Sequence, residues 1–231
     1  MSEENGVIYR ISGPVVTAVG ISPRMYEVVR VGDEGLMGEV IELHGDQSVI
    51  QVYEETSGVR PGEPVIRTGQ TLSVQLGPGL LTKIYDGIQR PLPELEKTMG
   101  VFIKRGVDAD GLDLEKIWNF NATANIGDSV SSGDILGTVQ ETKTIEHRVM
   151  VPPGTSGVIK SINSGEFNVT QTICSFEDGT EVQMMQKWPV RTPRPFTKKH
   201  APEVPLQTGQ RILDFLFPLA KGGTAGIPGP F

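Results

Sequence analysis

The final ten residues have types and spacing that suit phosphate chemistry. They read GGTAGIPGPF, and Gly229-Pro230-Phe231 fits the first three positions of the pattern G-x-x-x-x-G-K-[ST]. In that pattern, backbone N–H groups and a helix N-terminus surround the phosphates, while the lysine and the Ser/Thr serve the terminal phosphate and Mg²⁺. The remaining positions of the pattern, which include the second glycine, the lysine and the Ser/Thr, would follow Phe231 and are not among the 231 residues. Alone, these three residues fit a Gly-Pro turn equally well, so the segment predicts at most a partial phosphate-binding loop.

The other candidate ligand residues do not form a metal-binding pattern. His44, His147 and His200 lie far apart and show no ligand-like spacing to a carboxylate or to Cys174. The run DADGLD at 108–113 faintly resembles a calcium loop, but it lacks the required spacing and the glutamate at the twelfth position. We therefore expect no metal site, a solvated turn at 108–113, and a buried Cys174.

Lys143 is a candidate for covalent modification. The stretch 127–162 resembles a lipoyl or biotinyl carrier domain, in which a hairpin presents one lysine, and Lys143 stands four residues after Val139. A solvated turn lysine on the same barrel-sandwich architecture is the plainer interpretation, because fold does not imply function. The carrier-domain hypothesis stays open as an alternative.

Composition limits the class of protein. The chain has 37% hydrophobic and 21% charged residues, 28 Gly, 17 Pro and a net charge of -7. So many glycines and prolines favour short strands joined by turns. An acidic chain disfavours nucleic-acid binding, and neither a signal peptide nor a long apolar run is present. These features predict a cytoplasmic, mainly β protein without direct membrane insertion.

Two β-rich blocks must position these residues. The first contains six apolar segments, at 7–11, 14–19, 25–31, 38–43, 48–55 and 71–76. They predict a small closed barrel or a sandwich, with a hairpin turn at Gly45-Asp46. A glycine- and proline-rich connector follows, with a short helix opening near Pro93. The second block, between about Asp113 and Lys187, carries enough apolar strand residues for a separate core.

The end of the chain is predicted to hold one helix. Residues 208–219 place apolar side chains at helical spacing, with Thr208 as the candidate N-cap and Pro218 near the stop. The chain therefore divides into a first β-rich block at 1–76, a connector with a short helix at 77–112, a second β-rich block at 113–187, and a tail with one helix at 188–231.

Long blocks of sequence resemble a known family. They include VIQVYEETSGVRPGEPV at 49–65, LSVQLGPGLLTKIYDGIQRPL at 72–92, HRVMVPPGTSG at 147–157, MMQKWPVRTPRP at 184–195 and GGTAGIPGPF at 222–231. With these blocks in this order, the chain resembles the catalytic A subunit of archaeal A-type and vacuolar-type rotary ATPases. The resemblance implies an N-terminal β-barrel at 1–76 and a connector at 77–112 that starts an α/β P-loop nucleotide-binding domain. It also implies an inserted barrel-sandwich-like bulge domain at 113–187 and further nucleotide-binding domain, up to a truncated P-loop, at 188–231.

The resemblance also implies partners and cofactors. The whole subunit would bind ATP or ADP with Mg²⁺, alternate with non-catalytic B subunits in an A3B3 hexamer, contact central and peripheral stalk subunits, and couple ATP to H⁺ or Na⁺ transport at the membrane. We expect these 231 residues, which stop inside the P-loop, to bind no nucleotide tightly and to be inactive alone. A designed truncation, proteolysis, an intein or a split gene would each produce such an end.

The resemblance gives further residues an expected place. Arg90, Arg191 and Arg194 are candidates for inter-subunit ion pairs. Trp188 is expected to pack at a domain junction. Lys198-Lys199-His200 is expected to be an exposed loop.

Overall fold

The computed structural model describes residues 5–100, 102, 104–194, 196 and 198–229. The chain forms two compact units, residues 1–193 and 194–231. The first unit contains both β-rich blocks and the connector, and the second contains the last helix and the glycine-rich segment. In the part of the chain described, no helix is both long enough and apolar enough to cross a membrane.

The first β-rich block is a closed six-stranded barrel, as predicted. Its strands are β1 (Gly6–Ser12), β2 (Val15–Val19), β3 (Glu27–Val31), β4 (Leu36–His44), β5 (Gln47–Val52) and β6 (Pro64–Thr71), in the order β1-β2-β5-β4-β3-β6. Pairing of β1 with β6 closes the ring. Side chains of β2 and β5 alternate between the core and the surface, as strand geometry requires. The predicted Gly45-Asp46 turn joins β4 to β5, with Gly45 at φ +62°.

The sixth barrel strand differs from the sequence prediction. Segment 71–76 was expected to complete the barrel, but β6 does so instead. β7 (Ser73–Leu76) pairs outside the barrel with β16 (Gln186–Pro189). The sequence of β6 does not indicate a barrel strand, because Gly69 has φ +70° and only Val65 of the strand is fully buried.

The connector begins after β7 and contains one helix. α1 (Leu92–Met99) has Pro91 at its N-cap and Glu94 in its first turn, and it buries Leu95. A proline at the start of a helix and an early carboxylate match the free N–H groups and the helix dipole there. The predicted short helix near Pro93 is thereby confirmed.

The second β-rich block consists of two four-stranded antiparallel sheets around one core. Their strands are β8 (Trp118–Ala122), β9 (Ser129–Val130), β10 (Ile135–Gln140), β11 (Glu146–Met150), β12 (Gly157–Ile162), β13 (Gly165–Phe167), β14 (Thr172–Phe176) and β15 (Glu181–Gln183). The sheet orders are β11-β10-β8-β13 and β15-β14-β12-β9. Phe120, Leu136 and Phe176 are fully buried between them, and Cys174 is buried as predicted. We call this block, residues 113–187, the bulge.

The second unit is small. β17 (Pro205–Leu206) pairs with β18 (Leu219–Ala220), and α2 (Arg211–Leu216) lies between them. The prediction of Thr208 as N-cap was wrong, since Gln210 holds that position without a side-chain cap. Thr208 Oγ1 instead donates to Asp214 Oδ1 at 2.7 Å, and its backbone N–H donates to the same oxygen. The Asp214 carboxylate, in the first turn of α2, thus accepts hydrogen bonds from the backbone N–H groups of Thr208 and Gly209, which precede the helix.

Candidate functional site

The predicted phosphate-binding segment follows β18 directly. Residues 221–229 are exposed and irregular, and two backbone bonds hold their start: Lys221 N–H donates to Val204 O, and Gly223 N–H donates to Ala220 O. Gly229 is the last residue described, while the predicted site residues Pro230 and Phe231 lie outside the described residues. The partial phosphate-binding loop at Gly229-Pro230-Phe231 stays a prediction.

The residues present do not fit a nucleoside triphosphate. A phosphate-binding loop needs a lysine and a Ser/Thr hydroxyl beside successive backbone N–H groups. The 231 residues contain no Gly-Lys-Ser/Thr run. In the described residues no group of three or more His, Cys, Asp and Glu is placed to hold a metal ion. No step of phosphoryl transfer can be assigned to these side chains.

The helix before this segment presents a bare apolar face. Ile212, Phe215, Leu216 and Phe217 are each more than half exposed. α2 buries none of its own residues. Exposed apolar faces of this kind are typical of interaction surfaces.

Arg90 joins the connector to the barrel through buried ion pairs. Its side chain is 9% exposed, and its guanidinium contacts Glu54 Oε1 at 2.6 Å and Asp86 Oδ2 at 2.7 Å. Nη1 also donates to Val107 O at 2.8 Å. Burial raises the pKa of Asp86, but hydrogen bonds from Arg90 and from the Ile88 N–H outweigh burial, so the net pKa lies below its usual value. Arg90 was expected to pair with another subunit; its ion pairs are within the chain.

Arg191 makes a second link to the barrel. Its guanidinium contacts both carboxylate oxygens of Glu39, at 3.2 and 2.5 Å, and lies 4.3 Å from the ring centre of Tyr26. Tyr53 donates its hydroxyl to Glu39, and burial together with this bond raises the pKa of Tyr53 to about 12. Glu39 is an intrachain partner of Arg191, and pairing of Arg191 with another subunit stays a prediction. For Arg194 it stays a prediction.

Neither Glu39 nor Glu54 was identified from the sequence. Glu39 is buried between buried Gly38 and Val40, so strand alternation gives no signal for it. Trp188, by contrast, meets its prediction: it is buried in β16, and its Nε1 donates to Thr192 O at 2.7 Å. The pairing of β16 with β7 places it where the bulge returns to the connector.

The histidines occupy separate places. His44 pairs with Glu42 at the end of β4, His147 lies in β11, and His200 is exposed in the second unit. The predicted loop at Lys198-Lys199-His200 is exposed.

The acidic run at 108–113 makes several unrelated contacts. Asp108 pairs with Arg30, Asp110 accepts from Gln75 Nε2 at 2.7 Å, and Asp113 accepts from two following backbone N–H groups. The three carboxylates therefore act separately, which fits the predicted solvated turn.

Lys143 is exposed in the loop that joins β10 to β11. Thr142 Oγ1 accepts hydrogen bonds from Thr144 N–H and Ile145 N–H, which shape that loop. The residue next to Thr142, Glu141, is held inside the fold by the connector. A hairpin loop with an exposed lysine is compatible with the carrier-domain alternative and with a solvated turn.

Family models match both β-rich blocks. The ATP synthase alpha/beta family beta-barrel domain matches residues 8–69, and the ATP synthase alpha/beta subunit barrel-sandwich domain matches residues 109–191. These ranges contain most of the closed barrel and the two-sheet bulge described above. The chain belongs to the ATP synthase alpha/beta family.

Within that family the resemblance to the A-type enzymes is confirmed. The A subunit of the A-type ATP synthase from Methanosarcina barkeri is 62% identical over 229 residues, which are 99% of this chain and 40% of that protein. The corresponding A subunit from Methanoculleus marisnigri is 63% identical over 227 residues, 98% of this chain and 39% of that protein. The chain thus spans about 40% of the length of the curated relatives it matches.

Among solved structures, the assembled ATPase EscN of the enteropathogenic E. coli type III secretion system is 27% identical. The match covers 37% of this chain and 21% of that one, with a TM-score of 0.36.

Proposed function

We propose that these residues form the barrel and bulge framework of the catalytic subunit of an A-type rotary ATP synthase. The observation that carries the proposal is identity near 60% to the A subunits of A-type ATP synthases over almost the whole chain. The presence of both domain types of the family in one compact unit supports it. The division at residues 76, 112 and 187 is part of the proposal.

In the complete subunit, ATP or ADP with Mg²⁺ would bind downstream of the framework, and its turnover would be coupled to H⁺ or Na⁺ transport. The barrel would contact non-catalytic B subunits in an A3B3 ring, and the bulge would contact stalk subunits. Association with the membrane would be peripheral, through this complex. The bare apolar face of α2 supports a further domain packed beside it.

The barrel offers a surface for a neighbouring subunit. On β1, Ile8 points into the core while Val7 and Tyr9 lie on the outside, 44% and 61% exposed. Exposed aromatic side chains are enriched at interfaces, because they bury a large area with few rotatable bonds.

An assembly experiment tests this function. The chain is mixed with a B subunit, and their complex is measured by size-exclusion chromatography with light scattering. Tyr9→Asp is expected to weaken the complex by at least about tenfold, which corresponds to about 1.4 kcal/mol. Lys143→Asp, in an exposed loop of the bulge, is the matched control and should bind normally. Failure of the unmodified chain to bind any B subunit would contradict the proposal.

We propose also that the 231-residue chain does not hydrolyse ATP. Electrostatic stabilisation of phosphoryl transfer depends on the lysine, the metal and a residue that orients water. The Gly-Lys-Ser/Thr run that supplies this lysine is absent from the 231 residues. The nucleotide pocket therefore needs residues other than these.

The carrier-domain alternative rests on the exposed position of Lys143 in the β10–β11 loop, where a modifying enzyme could reach it. Intact-mass measurement of chain purified from its own host separates the two functions. A framework subunit has the mass of the unmodified sequence, whereas a carrier domain has the added mass of a lipoyl or biotinyl group that is lost in Lys143→Arg.

A further inference from the structure

Glu141 extends from the end of β10 into the connector. Its side chain is only 5% exposed, although it carries a carboxylate. Oε1 accepts hydrogen bonds from Gly79 N–H at 2.7 Å and from Leu81 N–H at 3.1 Å. Two backbone N–H groups converging on one oxygen form an anion-binding concavity, and here the anion belongs to the protein itself.

The connector backbone approaches the bulge closely at this point. Gly79 has φ +107°, and a Cβ there would lie 3.2 Å from Trp118 Cζ2. A Cβ on Gly77 would lie 3.3 Å from Met184 O, which belongs to the bulge. Leu80, directly after these glycines, packs against the bulge core. The glycines therefore let the main chain lie against the bulge, and this brings its N–H groups within reach of Glu141.

His147 lies on the other side of the carboxylate, with Nδ1 3.5 Å from Glu141 Oε2. Burial lowers the pKa of His147, and the charge of Glu141 offsets this only in part. The two backbone N–H groups, at 2.7 and 3.1 Å, are closer partners of the carboxylate than the imidazole is. The nearby Tyr85 hydroxyl donates to Gly111 O at 2.8 Å, which holds together two parts of the connector just before the bulge begins.

The opposite end of the connector is fixed to the barrel. Arg90 pairs with Glu54 just after β5, and Arg105 Nη2 pairs with Glu34 at 2.7 Å. A segment held to the barrel at one end and to the bulge at the other transmits the position of one to the other.

We propose that Glu141 is a positioning residue that latches the bulge to the connector, so that the barrel and the bulge move as one body. The latch consists of the Glu141 carboxylate and the N–H groups of Gly79 and Leu81. No nucleotide takes part in it, so its test is independent of the ATP chemistry proposed above.

Hydrogen exchange measures the latch directly in the full 231-residue chain. Glu141→Ala is expected to speed exchange of the Gly79 and Leu81 amides by about tenfold or more, because hydrogen bonds to charged groups contribute about 1.5–3 kcal/mol. Glu141→Gln keeps a neutral acceptor and should give a smaller increase at the same two amides. Glu146→Ala, an exposed glutamate at the start of β11, is the control and should exchange like the unmodified chain.

A distance measurement reports the consequence. Spin labels on Asp46→Cys, in the β4–β5 turn, and Asp178→Cys, in an exposed turn of the bulge, span the two bodies. The latch predicts one narrow distance distribution in the Glu146→Ala protein and a broader one in Glu141→Ala.

Unchanged exchange and an unchanged distribution in Glu141→Ala would overturn the proposal. If Glu141→Ala does not fold, Glu141→Gln decides: faster exchange at Gly79 and Leu81 than in Glu146→Ala supports the latch, and equal exchange refutes it.

Discussion

Replacing Arg90 with alanine should destabilise the protein strongly. The side chain is 9% exposed, and the substitution removes bonds to two carboxylates and one carbonyl at 2.6–2.8 Å. Glu54, itself 9% exposed, would then be buried without its cation. Removing one partner of a buried ion pair costs about 3–5 kcal/mol, because the remaining charge stays desolvated. We expect Arg90→Ala to lower the free energy of unfolding by that amount.

Urea unfolding followed by circular dichroism measures the change. Arg90→Lys keeps the positive charge but lacks the planar guanidinium group. We therefore expect it to lower the free energy of unfolding by less than Arg90→Ala does. Lys97→Ala is the control: it removes an exposed ion pair with Glu94 and should change the free energy by less than about 0.5 kcal/mol. Equal stability of Arg90→Ala and Lys97→Ala would refute the assignment of Arg90 as a buried link.

The same ion pair sets a pH dependence. The pKa of Asp86 is lower in the folded protein than its ordinary value of about 3.9. Its stabilising contribution is therefore complete above about pH 4 and is lost as the pH falls through the lower, folded-state pKa. In Arg90→Ala this part of the acid destabilisation should be smaller, because only the backbone N–H groups of residues 88 and 90 still donate to Asp86; urea unfolding at pH 3 and pH 6 would show the difference.

Two further substitutions or modifications test the bulge core. Burial raises the pKa of the Cys174 thiol to about 11. The thiol should therefore resist maleimide at pH 7.5 in the folded chain and react with it in urea. Rapid reaction without urea would contradict the placement of Cys174 in the core. Gly137→Ala should lower the free energy of unfolding by at least about 1–3 kcal/mol, because its Cβ would overlap Asn121 O and Phe120 Cζ. Gly87→Ala is the control: its Cβ meets no atom within 4 Å, so the free energy of unfolding should hardly change. Equal unfolding midpoints of the two variants in urea would count against this packing.

The number of barrel strands followed from the spacing of apolar segments and turns. The Gly45-Asp46 turn was also predictable, because a two-residue hairpin requires positive φ and glycine supplies it. The identity of the sixth strand was not, since segment 71–76 alternates as well as β6 does, and only tertiary pairing with β16 decides between them.

The buried ion pairs could not be predicted from sequence spacing. Arg90 and Glu54 are 36 residues apart, and Arg191 and Glu39 are 152 apart. Nothing local distinguishes these charges from solvated ones. Thr208 shows a related limit, because its hydroxyl donates to Asp214 and accepts from the Gln210 N–H without taking the N-cap position, and both arrangements fit the same residues.

The claim that these residues are framework rather than catalyst is tested most directly by ATP turnover. The purified 231-residue chain is assayed for phosphate release with MgATP, beside a purified P-loop ATPase as positive control. The account predicts release no faster than the background without protein. Turnover that scales with the concentration of the chain would contradict it.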